Sequence, residues 1–352
     1  ALALIMVAGS FSDSGSASAI SLEDTAEKRF VSIGITVVAG DNIVTAAEES
    51  ADFTVTGTGS ENAATITVVY GGVSETCTST AAGAFTCTFN DDGGGGAGNM
   101  GGVADGTITV TASVTVDSAT TTATTFITQD TVVPTVTITA SQGSDGFSSN
   151  DATLSMTFTL SESSTNFVVG DITPGGGSMS SFSGSGSSYT ATFTPSGGDG
   201  AKTINVAGSA FTDANTNGNT AATEFNWVYD TTAPTWSSVV FASGDYVNDA
   251  EDESAINLVI TTLGVEDNQV ATATLNSATY ACTISSNACT ASITSAGLKA
   301  LSEASHSFSV AVSDTAGNAA TAHTSESFTY DITAPTSTTS VESVNGDGNA
   351  ND

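Results

Sequence analysis

A short phrase built on an aspartate and a proline recurs in this chain at nearly constant spacing. It reads DTVVPT at residues 130–135, DTTAPT at residues 230–235 and DITAPT at residues 331–336, so successive copies lie 100 and 101 residues apart. Proline fixes its own φ, keeps the preceding residue extended and cannot donate to a β-ladder. Each phrase therefore ends one strand and begins the next segment at a defined angle. A period near 100 residues predicts tandem domains of that size.

The segments between these phrases alternate apolar and polar residues with a period of two. Examples are ITVVYGG, TITVTASVTV, ATLSMTFTL and INLVITT, each bounded by Gly, Asn or Asp. This alternation is typical of half-buried β-strands. The sequence predicts an all-β chain of tandem immunoglobulin-like β-sandwich domains in an elongated array. The predicted boundaries are 1–30 for an apolar or linker segment, 31–133, 134–233 and 234–334 for three domains, and 335–352 for the start of a further repeat.

The charge of the chain is strongly unbalanced, with 37 acidic residues, four basic residues and a formal net charge of −33. Binding to nucleic acid or to an anionic membrane requires clustered Lys and Arg, so neither partner is expected. The sequence contains no run of 18 apolar residues, so it predicts no transmembrane helix. Self-repulsion in a compact state predicts bound cations or a saline medium. The simpler alternative is that the acids keep a Ser- and Thr-rich surface soluble.

The four cysteines form two local pairs, Cys77 with Cys87 and Cys282 with Cys289. A zinc site would need a second half with further Cys or His ligands, and neither pair has one. A short hairpin around each pair would bring the sulfurs together, which predicts two cross-strand disulfides. Disulfides indicate an oxidising compartment outside the cytoplasm. Free thiols in a reducing compartment are the alternative.

Two loops rich in Asp, Asn and Gly precede the second and third phrases. They read FTDANTNGN and VSDTAGN, and their aspartates, Asp213 and Asp314, lie 101 residues apart. Converging side-chain and carbonyl oxygens in such loops suit a hard cation such as Ca²⁺. Residues 213–224 satisfy the whole EF-hand pattern, but the flanking sequences indicate strands and not helices. The first domain has Asp117 at the matching place, without Gly-Asn.

The order of several longer motifs resembles a known family. AGDNIVTAAEESADFTVTGTG, TLSESSTNFVVGDITPGGGSMSSFSGSGSSYTATFTP and LKALSEASHSFSVAVSDTAGNAATAHTSESF, joined by the recurring phrase, are similar to the bacterial Ig-like repeats of very large secreted or surface-attached adhesins. The resemblance covers about residues 31–336. It implies a cell-surface stalk whose domains join end to end and are stiffened by Ca²⁺ between them.

The resemblance, together with the loop composition, assigns a set of metal ligands. With one acid among the first three ligand positions of the loop, weak Ca²⁺ sites are expected, suited to millimolar extracellular calcium. The expected ligands are Asp130, Glu162, Asp213, Asn215, Asn217, Asp230, Asp314, Asn318 and Asp331.

Three other functions stand beside the stalk as alternatives. Catalysis has little support, because the two histidines, His306 and His323, lie in strand-like segments and no hydrolase or zinc-protease motif is present, so no enzyme is expected.

The apolar residues 1–12 predict either a signal-peptide remnant or a donor strand that completes a neighbouring subunit in a filament. A carbohydrate- or receptor-binding module would need exposed aromatic residues, for which Trp236, Tyr246 and Tyr280 are the weak candidates. The expected partners are copies of the chain, other surface proteins or glycans.

Overall fold

The protein was analysed as a computed structural model, which describes residues 22–24, 29–59, 64–89, 102–116, 118–325 and 327–336. Three predictions lie outside these residues: those for residues 1–12, for Asp117 and for residues 337–352. Within the described part of the chain, no helix has the length and apolar character needed to cross a membrane.

Strands make up nearly all of the regular structure, as the period-two alternation predicted. The helices are short: α1 (Ala46–Glu49), α2 (Ser295–Lys299) and one 3-10 turn (Val169–Asp171). The strands of the first part are β1 (Leu22–Asp24), β2 (Arg29–Val31), β3 (Ile33–Val38), β4 (Ile43–Thr45), β5 (Phe53–Gly59), β6 (Thr65–Tyr70), β7 (Val73–Thr78), β8 (Ala84–Phe89), β9 (Gly106–Val116) and β10 (Ala119–Asp130). Those of the middle part are β11 (Val136–Ala140), β12 (Phe147–Ser149), β13 (Leu154–Ser164), β14 (Ile172–Gly175), β15 (Gly177–Pro195), β16 (Gly200–Val206) and β17 (Phe225–Tyr229). Those of the last part are β18 (Thr235–Phe241), β19 (Tyr246–Val247), β20 (Ile256–Leu263), β21 (Val270–Leu275), β22 (Ala278–Thr283), β23 (Ala288–Ile293), β24 (Ala304–His306), β25 (Ser309–Ala311), β26 (His323–Thr324) and β27 (Phe328–Tyr330).

The chain divides into two compact units. The first comprises residues 1–145, 153–196 and 203–226, and the second comprises residues 146–152, 197–202 and 227–352. Both are built mainly from antiparallel strand pairs, in sheets with one apolar face each, which confirms the predicted all-β, Ig-like sandwich class. The boundaries 31–133, 134–233 and 234–334 remain predictions.

In the first unit, a five-stranded sheet of order β4-β10-β9-β6-β7 accompanies a three-stranded sheet, β3-β5-β8. Alternation decides which side chains are buried: in β9, Ile108, Val110 and Val114 are buried, and the intervening threonines face outward. The buried residues of both sheets form one apolar core. Further along, β11-β13-β15 forms a second three-stranded sheet and β14 pairs with Thr203–Val206.

The second unit repeats this plan. Its sheets have the orders β18-β20-β23, β22-β21-β25-β26 and β19-β27-β24, and its core is again a single apolar cluster. A short parallel pairing occurs just before each recurring phrase. It joins β4 to β10 in the first unit, and β12 to β17 and β19 to β27 in the second. The strand that leads into each phrase is thereby held on one side by a short strand from earlier in the chain.

Both predicted cysteine pairs are disulfides, Cys77–Cys87 and Cys282–Cys289. The prediction that a short hairpin surrounds each pair was wrong, because the two strands of each pair are not partners in one ladder. Strand β7 is an edge of the five-stranded sheet, whereas β8 is an edge of the sheet β3-β5-β8, and β22 and β23 likewise belong to different sheets. The short connections turn the chain from one sheet to the other. Each disulfide therefore ties together the edges of two facing sheets.

Removal of the first disulfide should destabilise the first unit. A crosslink that closes a loop of about ten residues contributes about 2–3 kcal/mol by restricting the unfolded chain. The paired variant Cys77→Ala/Cys87→Ala should lower the unfolding free energy by this amount in urea melts. The matched control, Cys282→Ala/Cys289→Ala, should lower the stability of the second unit instead. An unchanged midpoint in both variants would contradict the structural role of the disulfides.

Candidate metal centre

The loop that contains Asp213 is closed by hydrogen bonds to the aspartate side chain. Asp213 Oδ1 accepts from the backbone N–H of Asn215 at 2.8 Å and of Asn217 at 2.9 Å, and the backbone N–H of Asp213 donates to the carbonyl of Asn217 at 3.1 Å. Asp213 is only 7% exposed. Strands β16 and β17 flank this stretch, with no helix on either side, so the EF-hand sequence pattern does not form an EF-hand here.

Asn217 fastens this loop to the phrase at residues 130–135, which we call the first linker. Its Nδ2 donates to the backbone carbonyl of Asp130 and to Asp213 Oδ2, both at 2.9 Å. Its Oδ1 accepts from the backbone N–H of Ala46, at the start of α1, at 2.8 Å. The residue is 4% exposed and uses both ends of its amide. Burial of these polar groups requires such pairing, because each unpaired group costs about 1–3 kcal/mol.

The second unit contains the same arrangement at residues 314–318. The backbone N–H of Asn318 donates to Asp314 Oδ1 at 2.7 Å, and Asn318 Nδ2 donates to Asp314 Oδ2 at 3.0 Å and to the carbonyl of Asp230 at 2.8 Å. Asn318 Oδ1 accepts from Asn150 Nδ2 at 3.0 Å. The phrase at residues 230–235, the second linker, is therefore held by the same chemistry as the first.

One position in this repeated loop requires a left-handed backbone. Gly317 occupies it in the second unit with φ of 94°, and Thr216 occupies it in the first with φ of 71°. Glycine adopts this region without a steric penalty, whereas a β-branched residue there is strained. The first loop therefore carries local strain that the second loop avoids.

Replacement of Thr216 by glycine in the first loop should relieve this strain. Thr216→Gly is expected to stabilise the first unit by about 1 kcal/mol, because the left-handed region costs an L-residue about 1–2 kcal/mol and the flexibility of glycine offsets part of this. Gly317→Thr should destabilise the second unit by a similar amount. Thermal melts of both variants measure the effects. Shifts in the same direction would contradict this interpretation.

Three carboxylates converge at the first linker. Oxygen atoms of Asp130 at the end of β10, Glu162 on β13 and Asp213 all lie within 4.8 Å of one another. Asn215 contacts the same group, since its Nδ2 donates to Asp130 Oδ2 at 2.6 Å. Burial raises the pKa of Glu162 above its ordinary value, and the nearby charges of Asp130, Asp213 and Asp105 and a hydrogen bond to Asp213 raise it further. Every charged group that shifts Glu162 is itself an acid.

The raised pKa makes the stability of the first unit depend on pH in the absence of a metal ion. Between the unfolded and folded pKa of Glu162 the folded state binds more protons, so stability decreases as pH rises through this window. Glu162→Gln should remove this decrease and leave the protein more stable than the parent above the folded pKa. Melts in EDTA from about pH 4 to about pH 7 measure this dependence, because an ordinary glutamate carboxyl titrates at about pH 4.3. A parallel dependence in parent and variant would contradict the repulsion argument.

The other expected ligands lie at the second and third linkers. Asp230, Asp314 and Asn318 come together through the hydrogen bonds described above, whereas Asp331 lies in the phrase at residues 331–336, the third linker. Within the described residues, a group of three acidic side chains with metal-ligand spacing occurs at the first linker and not at the other two. The ligand assignments at all three linkers remain predictions.

The recurring aspartate also has a local role. Its Oδ1 accepts from the backbone N–H two residues later, at 3.2 Å in the first linker, 2.9 Å in the second and 3.0 Å in the third. This Asx turn closes the chain just ahead of the proline. The D-x-x-x-P phrase is thus a structural motif that directs the chain out of one strand, independently of any cation.

A second acid at each linker was missed from the sequence. Asp105 accepts from the backbone N–H and hydroxyl of Thr131, each at 3.0 Å. Asp199 accepts from Thr231 and Thr232, whose hydrogen bonds lower the pKa of Asp199, and Glu303 accepts from the third linker. These acids stand at unequal distances before their linkers, so no period reveals them. The Asp-Gly pairs at 105–106 and 199–200 are the only shared signal.

Of the three aromatic residues proposed for glycan binding, one is exposed and two are partly buried. Trp236 is partly buried and its Nε1 donates to the carbonyl of Thr321 at 2.7 Å. Tyr280 is partly buried, whereas Tyr246 is 66% exposed. The glycan hypothesis stays a prediction that rests on one exposed ring.

Comparison with known proteins gives a family for the middle of the chain. Residues 130–229, which contain all three carboxylates of the first linker, match the sequence model of the bacterial Ig-like domain. Among curated proteins, no sequence relative matches.

Solved structures of three adhesins are similar at low identity. They are a 1.5-MDa bacterial ice-binding adhesin (17% identity, 86% of this chain and 98% of that chain, TM-score 0.35), a Ca²⁺-stabilised, ice-binding adhesin of an Antarctic bacterium (16%, 90% and 82%, TM-score 0.32) and a tetra-tandem repeat from the extending region of a large adhesion protein (18%, 82% and 74%, TM-score 0.30). The predicted resemblance to bacterial Ig-like repeats is confirmed by the family match. Residues 130–229 thus match the bacterial Ig-like domain, and the chain, with its two disulfides, is an extracellular or cell-surface protein.

Proposed function

We propose that this chain is a structural part of an extracellular bacterial adhesin, in which Ig-like domains follow one another and Ca²⁺ stiffens the first linker. The observation that carries the proposal is the convergence of Asp130, Glu162 and Asp213 in a place where only acids act on Glu162. The proposal includes the predicted domains 31–133, 134–233 and 234–334. No catalytic role is part of it.

The distribution of charge supports this function. The sequences of β9 and of β10 up to Gln129 contain no acid, and their outward faces consist mainly of threonine. Acids are instead frequent in turns and at the linkers, where Asp105, Asp130 and Asp213 all act on Glu162. A cation is therefore needed most at the linker, because self-repulsion there opposes the folded arrangement.

The chemistry of the ligand atoms fits calcium. Ca²⁺ prefers six to eight oxygen ligands from carboxylates, carbonyls and water, and tolerates irregular geometry. The three carboxylates would supply negative oxygen ligands, and Asn215 lies beside Asp130. When bound, the ion would supply positive charge, so that the three carboxylates would be attracted to the ion instead of repelling one another.

The chain's own residues would turn this attraction into stiffness. Asp130 ends β10, Glu162 belongs to β13 and Asp213 lies in the loop that Asn217 fastens to the linker. An ion shared by all three would hold β13 and the loop against the end of β10. Bending at the first linker would then require the loss of metal ligands as well as hydrogen bonds.

Calcium should raise the melting temperature of the full chain. By linkage, Ca²⁺ at 100 times its dissociation constant adds about 2.7 kcal/mol per site. The parent in CaCl₂ is compared with the parent in EDTA and in MgCl₂, since Mg²⁺ requires stricter octahedral geometry and should stabilise less. The double variant Asp130→Asn/Asp213→Asn should lose the calcium effect.

The control variant for net charge is Asp52→Asn, an exposed acid of the same unit. It should keep the full response to calcium. Equal melting temperatures of the parent in CaCl₂ and EDTA, or an equal response in the double variant, would overturn the calcium proposal and leave the family assignment untouched.

A further inference from the structure

We infer that the end of the second unit around Asp331 is a docking face for another Ig-like domain, which binds through an Asp-x-x-x-Asn loop. The inference rests on the tandem organisation of the proposed function but not on the bound cation. It follows from the first and second linkers, to which such a loop is already hydrogen-bonded.

The receiving side has the same parts at the first and second linkers. A short strand pairs in parallel with the strand before the linker, the linker aspartate forms its Asx turn, and an earlier acid accepts from the residues that follow. The loop asparagine then donates to the carbonyl of the linker aspartate, Asp130 or Asp230. Its Oδ1 accepts from a donor beside the short strand: the Ala46 backbone N–H in one case and Asn150 Nδ2 in the other.

The third linker has all of these parts on its receiving side. Strand β19 pairs in parallel with β27, and the backbone N–H of Asp331 donates to the carbonyl of Val247 at 3.0 Å. Asp331 forms the Asx turn with Thr333, and Glu303 accepts from the backbone N–H of Ile332 and the hydroxyl of Thr333.

Even the donor residues correspond. Asn248 follows β19 as Asn150 follows β12, and both are asparagine. Asn248 also matches Thr45, the N-cap residue of α1. The backbone N–H of Asn248 donates to Glu251 Oε2 at 3.0 Å, as the backbone N–H of Thr45 donates to Glu48 Oε2 at 3.1 Å. Asp249 thereby stands where Ala46 donates to Asn217.

In the described residues, no side chain donates to the carbonyl of Asp331, and both Asp-x-x-x-Asn loops, 213–217 and 314–318, are seated at the other linkers. The first domain cannot supply a third loop. Its strands β9 and β10 are joined by two residues, with Ala119 opposite Val116, whereas 18 residues separate β16 from β17. Among the described residues, a second copy of this chain therefore offers no free Asp-x-x-x-Asn loop, and the partner we infer is a further domain of the same family.

The test places such a domain at the face. Residues 1–336 are followed by a second copy of residues 136–230, whose loop contains a copy of Asn217. The control extension carries Asn217→Ala in that copy, and the unextended chain is the reference. All three are measured by amide hydrogen exchange in CaCl₂ and in EDTA, so that hydrogen bonding is separated from cation binding.

The docking face predicts that the backbone amide of Asp249, the counterpart of Ala46, exchanges about tenfold more slowly in the extended chain than in the reference, in both buffers, since one net hydrogen bond contributes up to about this factor. The control extension should lose this protection. Asn248→Ala should lower the melting temperature of the extended chain by more than that of the reference.

Two results would overturn the inference. One is unchanged exchange at the Asp249 amide while the tryptophan of the added domain shows the fluorescence of a buried ring, as expected for a copy of the buried Trp227. The other is an added domain that leaves this tryptophan exposed, because the same sequence folds beside an equivalent linker in the parent chain. Slower exchange in CaCl₂ alone would assign the effect to the cation and also contradict the inference.

Discussion

The hydrogen bond from a loop asparagine to the carbonyl of a linker aspartate is the interaction on which both linkers depend. A strand that ends at a linker leaves its last carbonyl without a ladder partner, and burial of that group without a donor is costly. Asn217 and Asn318 supply the donor, and each also pairs with the aspartate four residues earlier in its own loop. One amide side chain thus closes its loop and fixes that loop to the linker.

The uneven placement of charge follows from the fold. Threonine is neutral and β-branched, so it suits the outward face of a strand, and acids are displaced to the turns where strands end. The linkers lie at such ends, which concentrates carboxylates there. Asp105 and Asp199 show that part of this charge is used in hydrogen bonds to the linkers themselves. The cluster around Glu162 is the place where acids face one another, and there burial together with the neighbouring acids raises the pKa of Glu162.

Much of the fold could be predicted from the sequence because strands and periods are local properties. The alternation in β9 and β13 gave their buried faces, and the spacing of Asp130, Asp230 and Asp331 gave the repeat. The disulfides show the limit of this reasoning: proximity of Cys77 and Cys87 was evident, but the sheets to which β7 and β8 belong depend on pairing with distant strands. The cluster of Asp130, Glu162 and Asp213 could be predicted only through family resemblance, since these residues are separated by 32 and 51 positions.

The two kinds of contact at the first linker respond differently to the surroundings. The bonds of Asn217 join neutral groups to a carbonyl, a backbone N–H and one carboxylate, so most of their contribution is independent of salt and of pH near neutrality. The carboxylate cluster is repulsive when ionised and bare, and attractive to a divalent ion. The first linker therefore has a constant set of hydrogen bonds that positions the loop, and a separate set of acids whose contribution would change sign on the proposed binding of Ca²⁺. At the second linker, the described residues form the same hydrogen bonds but no group of three converging acids. The stiffness of the two linkers should therefore depend on calcium to different degrees.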